Sequence, residues 1–130
     1  MLNRSGTIIK ETAVAPSQIL FNVQNQMSVE VIVDKTVGTA GEDGRKIVKA
    51  GTPLSGNLTA RDTAFVAAKD TSSPAVGVLL HDVDVTDGNA NGTLLIWGFV
   101  NLNRMDSTTA SSITADRKTE LAGRVWFLKD

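Results

Sequence analysis

Apolar and polar residues alternate most clearly over 27–34, where Met27, Val29, Val31 and Val33 take one face and Ser28, Glu30 and Asp34 the other. A period of two predicts a half-buried strand, and Ile32 among the polar positions means that its second face is partly covered as well. Shorter aliphatic runs predict further strands over 46–50, 64–68, 76–80, 94–100 and 124–128. Gly51-Thr52-Pro53 and Ser72-Ser73-Pro74 read as turns between them, because proline fixes φ and donates no ladder hydrogen bond. The glycine-rich stretch 38–44 reads as a mobile turn or hairpin tip. Fourteen Val and fourteen Thr, with no Tyr, favour pleated structure, since β-branched side chains fit a sheet better than a helix.

One helical segment is predicted late in the chain. Thr114 is placed to cap it, Asp116 stands in the first turn where the helix dipole favours an anion, and Gly123 suits the left-handed residue at its end. Ala110, Ile113 and Leu121 share one side only if the helix begins before Thr114.

Residues 1–26 differ in texture. They are polar, with small apolar groups at Ile8-Ile9, Val14 and Ile19-Leu20-Phe21, and no regular period runs through them. Pro16 further disfavours regular structure at Ala15. The expected organisation is an extended amino-terminal arm over 1–26, with one possible strand at 19–23, and a β-rich domain over 27–130.

Composition narrows the function. At 130 residues and 42% hydrophobic, the chain suffices for one packed domain. Thirteen basic residues against fourteen acidic ones exert no general pull on nucleic acid or anionic lipid, so neither is expected as a partner. The longest apolar run, 94–100, is too short to span a bilayer, and the start lacks the apolar stretch of a secretory signal, which predicts synthesis without export. The absence of Cys excludes disulfides, thiolate metal sites and cysteine nucleophiles.

Candidate chemistry is sparse. His81 is the single histidine, and no Gly-x-Ser-x-Gly elbow accompanies it. The stretch from Asp82 to Gly92 is rich in oxygen donors, yet Thr86 stands where a calcium loop needs a third acid or amide, and no glutamate closes it, so a structural hairpin loop is expected. Gly44-Arg45-Lys46 lacks the Gly-Lys-Ser/Thr that would bring a hydroxyl to magnesium. Asn57-Leu58-Thr59 and Asn91-Gly92-Thr93 match the glycosylation sequon, as a Thr-rich chain does by chance. No catalytic residue, cofactor site or metal site is predicted. Trp97 and Phe99 share a face by period two, whereas Trp126 and Phe127 take opposite faces, so part of a second sheet face must be covered by the helix or by another subunit.

The order Gly51-Thr52-Pro53-Leu54, Ala64-Phe65-Val66-Ala67-Ala68, Ala75-Val76-Gly77-Val78-Leu79-Leu80, the strand at 94–100 and Leu121-Ala122-Gly123-Arg124-Val125-Trp126-Phe127 resembles the lambdoid phage head decoration proteins. The resemblance covers roughly 45–130, and its most distinctive piece is Ala-Val-Gly-Val-Leu, where a glycine inside an apolar strand marks a bend or the close approach of another backbone. It implies a small β-tulip domain with an accessory helix, no enzyme activity, and a homotrimer on the outer surface of a phage capsid, made in the host cytoplasm. Such trimers bind the major capsid protein and hold the head against internal DNA pressure. On that reading the arm meets the capsid through Ile8, Ile9, Ile19, Leu20 and Phe21, and Trp97, Phe99 and Trp126 lie between subunits. A second class, a receptor- or carbohydrate-binding β module of a head fibre or tail, would show a groove lined by exposed aromatic rings.

Overall fold

The computed structural model describes residues 18–20 and 26–129. The described chain is mostly β. Its strands are β1 (Met27–Val33), β2 (Ile47–Val48), β3 (Pro53–Ser55), β4 (Val66–Ala67), β5 (Gly77–Leu79), β6 (Val83–Asp84), β7 (Ala90–Asn101) and β8 (Val125–Leu128), with short helices α1 (Ser107–Ala110) and α2 (Ala115–Glu120) between the last two. The main sheet runs β1-β7-β5-β3-β4 with antiparallel neighbours, β8 pairs with β7 in parallel, and β2 and β6 form a separate ribbon. A parallel pair needs a long crossover, and residues 102–124, carrying both helices, supply it.

β7 is the shared wall of two cores. On one side Val31, Val33, Leu54, Phe65, Leu79 and Leu94 form a cluster inside the curl of the sheet. The curl brings β1 back to the residue before β4: Phe65 donates its N–H to the Ile32 carbonyl and accepts from Asp34 N–H, at 2.7 and 2.9 Å. The edges touch there without closing a barrel. On the other side Val78, Leu95, Val100, Ile113, Leu121 and Val125 form a second cluster beneath the crossover.

The predicted strands occur where alternation or aliphatic runs placed them, though most are shorter than expected. Pro53 corrects the turn reading of 51–53, because it opens β3 and pairs with Val78. The first position of a strand is where proline is tolerated within a sheet, and three residues are too few to show a period. Stretch 38–44 is a hairpin tip, with Ala40 bridged to Lys46 and Gly41 N–H donating to Arg45 O at 2.8 Å.

The helical prediction holds for α2: Thr114 Oγ1 accepts from Arg117 N–H, Asp116 lies in the first turn, and Gly123 has φ of 81°. One continuous helix through Ala110 is replaced by two. Asp106 caps α1, and residues 111–114 turn so that Ala110, Ile113 and Leu121 still meet in one cluster. Gly77 meets the expectation of a close approach, since a Cβ there would stand 2.5 Å from the carbonyl oxygen of Leu95.

The arm boundary at 26 needs correcting. Ile19 and Leu20 are buried in the second cluster, Ile19 O accepts from Asn101 N–H at 2.8 Å, and Leu20 bridges Val100. Of a strand over 19–23 the described residues show that bridge, and 21–25 lie outside them.

Candidate functional site

Met27 pairs with Trp97 and Ser28 with Leu95, so Ile96 is the extra residue of a β-bulge in β7. An unbroken alternation would put Leu95 and Val100 on opposite faces, yet both belong to the second cluster, and the bulge accounts for the change of phase. Its other effect is to keep Trp97 and Phe99 off that cluster. They stand on the face that holds Leu94, past the end of the inner core. Met27, which the alternation of β1 placed with Val29, Val31 and Val33, shares this position beyond the core and is 59% exposed.

β8 completes the face. Phe99 pairs with Trp126, and their rings stack with centroids 4.9 Å apart. Trp97 stands edge-on to both, 6.1 Å from Phe99 and 5.8 Å from Trp126. Leu128 lies two residues beyond Trp126 on the same side and is 41% exposed, while Trp97 is 39% exposed. Five large apolar side chains thus share one face of β1, β7 and β8, and its three rings are ordered by mutual packing. Each such aromatic contact contributes about 0.5–1.5 kcal/mol beyond area burial. Phe127 points the other way, into the second cluster.

The three aromatic residues singled out in the sequence are therefore brought together. Met27 and Leu128 were missed, and for Leu128 the available signal was its period of two with Trp126. Of the five arm residues, Ile8, Ile9 and Phe21 lie outside the described residues. Ile19 and Leu20 are 0% and 3% exposed, so neither is available to an external partner, which corrects their assignment to a capsid contact.

The crossover is pinned by a polar clasp. Arg117, 3% exposed, places Nε 2.8 Å from Glu120 Oε1 as an ion pair and donates from Nη2 to Oε2 at 2.9 Å. Glu120 Oε1 also accepts from Ala75 N–H at 2.8 Å, and Arg124 donates to Val76 O and Glu120 O at 3.2 and 2.7 Å. α2, a short helix with little apolar face of its own, is held against the residues just before β5 by these bonds.

The oxygen-rich loop around β6 is occupied with its own backbone and neighbours. Asp84 binds Arg45 and the Thr86 N–H and hydroxyl, and the Arg45 guanidinium is the main cause holding its carboxyl well below the usual range. Asp82 accepts from Ala50 N–H and pairs with Lys49 at 3.8 Å, while Asn89 accepts from Lys35 N–H. Among the described residues no three metal-ligating side chains gather. His81 lies exposed beside Asp82, whose Oδ1 and Oδ2 face Ala50 and Lys49. No described helix is long and apolar enough to cross a membrane.

No family model matches the chain, and no curated protein matches it.

Proposed function

We propose that this chain is a structural protein of a phage head, a decoration protein that binds the major capsid protein on the outer surface of the capsid and stabilises it. The carrying observation is the aromatic face of Met27, Trp97, Phe99, Trp126 and Leu128, apolar surface left uncovered by a small domain without disulfides. Contiguous exposed apolar surface of this kind marks a contact with another protein. In the proposed homotrimer, Trp97, Phe99 and Trp126 lie between subunits, and the capsid contact falls to Ile8, Ile9 and Phe21 of the arm. The ordered resemblance over 45–130 supports the same reading. Neither nucleic acid nor membrane is a partner in it, no cofactor enters, and no enzymatic step is involved. The protein is made in the host cytoplasm and acts on the virion.

Two measurements test it together. Light scattering of the free protein is expected to give the mass of three chains, and sedimentation with phage heads is expected to carry it down with expanded heads and not with unexpanded ones. A protein that remains monomeric at high micromolar concentration and stays in the supernatant with both kinds of head has another function.

The same face supports a second reading, a carbohydrate-binding module, because sugar rings stack on exposed aromatic faces. It ranks behind because Phe99 and Trp126 stack on each other, which leaves Trp97 as the most available ring. Quenching or shift of the tryptophan fluorescence by host-surface oligosaccharides, without any association with heads, would put this reading first.

A further inference from the structure

We propose that the outer edge of β8 is a docking site for an extended protein segment with alternating apolar residues and acidic flanks, taken up as an added strand. This goes beyond the decoration reading and does not depend on it. Gly98 N–H donates to Arg124 O across the parallel ladder. In that pattern the polar groups of Trp126 and Leu128 turn toward β7, and those of Val125 and Phe127 turn away. Val125 N–H is bound by Leu121 O, which leaves Val125 C=O and both backbone groups of Phe127 facing outward. Among the described residues no strand pairs with this edge.

The other edges of the main sheet are less available. On β1, Glu30 O accepts from Arg61 Nη1 at 2.8 Å, and Ile32 O and Asp34 N–H are bound to Phe65. β4 has two residues only. An unpaired, apolar sheet edge is a template for another chain, and strand addition combines backbone hydrogen bonds with pockets for alternate side chains. The pocket is present: a groove of about 240 Å³ runs beside β8, lined by Lys118, Ala122, Gly123, Val125, Trp126 and Phe127. Gly123 keeps one wall low, since a Cβ there would meet nothing within 4 Å.

Charge selects the occupant. Lys118 stands on the groove wall and Lys129 follows the last residue of β8; both are exposed, and neither has an ion-pair partner among the described residues. Among the described residues no carboxylate lines the groove. A segment with apolar side chains on one face and an acidic residue at each end therefore matches it, whereas a basic segment is repelled.

The test uses the full chain, labelled with nitrogen-15, and two capped peptides: Asp-Val-Thr-Val-Ser-Val-Asp and its counterpart with Lys at both ends. The Asp-ended peptide is expected to shift amide signals over 125–129 and to slow hydrogen exchange at Phe127. The double variant Lys118→Glu, Lys129→Glu changes exposed side chains only and is expected to bind it roughly tenfold more weakly while gaining affinity for the Lys-ended peptide. Shifts confined to β1, or no shift at millimolar peptide, overturn the proposal. Hydrogen exchange at the outward Phe127 N–H that slows with protein concentration alone, in the absence of peptide, assigns the edge to a second copy and overturns it equally. None of these outcomes requires phage heads, so they are separable from failure of the decoration reading.

Discussion

The two sides of β7 are built on different principles. The inner cluster is enclosed by the sheet itself: β1 and the residue before β4 meet at Phe65, which is wholly buried and whose backbone ties the two together. The outer cluster is enclosed by a separate piece of chain, the crossover of α1 and α2, which is pinned at Ala75 and Val76 by Glu120 and Arg124. Past the end of the inner cluster no described element covers the sheet, and Trp97, Phe99 and Trp126 gather there. A sheet that curls on itself leaves its ends open. Exposed apolar surface therefore arises at the end of the curl, on the side the crossover does not reach.

The strongest way to break this contrast is to empty the inner cluster. Phe65→Ala is expected to destabilise the chain by about 3–5 kcal/mol, the usual cost of removing a fully buried aromatic ring. Urea unfolding measures it, and a loss below about 1 kcal/mol would mean that the curl does not depend on its core. The outer side should fail through a polar group instead. Glu120→Ala leaves Arg117 buried without its carboxylate and frees Ala75 N–H, an expected loss of about 3 kcal/mol. The double replacement Arg117→Met, Glu120→Leu should recover most of it, because an apolar pair of similar volume carries no stranded charge. If the double variant is no more stable than Glu120→Ala, the clasp contributes through its geometry rather than by neutralising a buried charge.

Much of the inner side was legible in the sequence. The alternation of β1, the Gly-Val-Leu of β5 and the aliphatic Leu94-Leu95-Ile96 of β7 all carry a period or a steric constraint that local reading detects. Strand β3 was not, since Pro-Leu-Ser has no period and owes its state to partners on both sides. The site was half legible. Period two brought Trp97 to Phe99 and set Trp126 opposite Phe127, but a bulge at Ile96 depends on pairing with β1 and leaves no local mark, so the outward position of the rings could not be read. Ile19 and Leu20 were misread for a related reason: without periodicity, a short apolar group gives no sign of whether it reaches the domain's own core or a partner.

The aromatic face sharpens the contrast at smaller cost. Trp97→Ser removes a ring that is 39% exposed but packs edge-on against two others, so the stability of the single chain should fall by about 1–3 kcal/mol. Solution mass is the sensitive readout, and the proposed trimer should shift toward monomer. An unchanged mass would remove Trp97 from the subunit interface.

Acid should act most weakly, and outside both clusters. Asp34, Asp70 and Asp84 each accept from hydroxyl and backbone N–H groups two or three residues ahead in the turn. Their carboxyls are held below the ordinary value, by the Thr36 N–H for Asp34, the Ser72 hydroxyl for Asp70 and the Arg45 guanidinium for Asp84. A depressed pKa in the folded state means that the unfolded chain takes up protons first, so the stabilising contribution is complete above about pH 4 and fades as pH falls through the folded values. All three side chains lie at turns in contact with solvent, where screening keeps each contribution small. The expected result is a melting temperature that is flat from neutral pH to about pH 4 and declines modestly below it. In Asp84→Asn that decline should be shallower, because one of the three titrating groups is gone while its turn can still accept hydrogen bonds. A variant whose melting temperature falls as steeply as that of the parent chain would show that the Arg45–Asp84 pair adds nothing to the fold, and that acid acts through some other carboxylate.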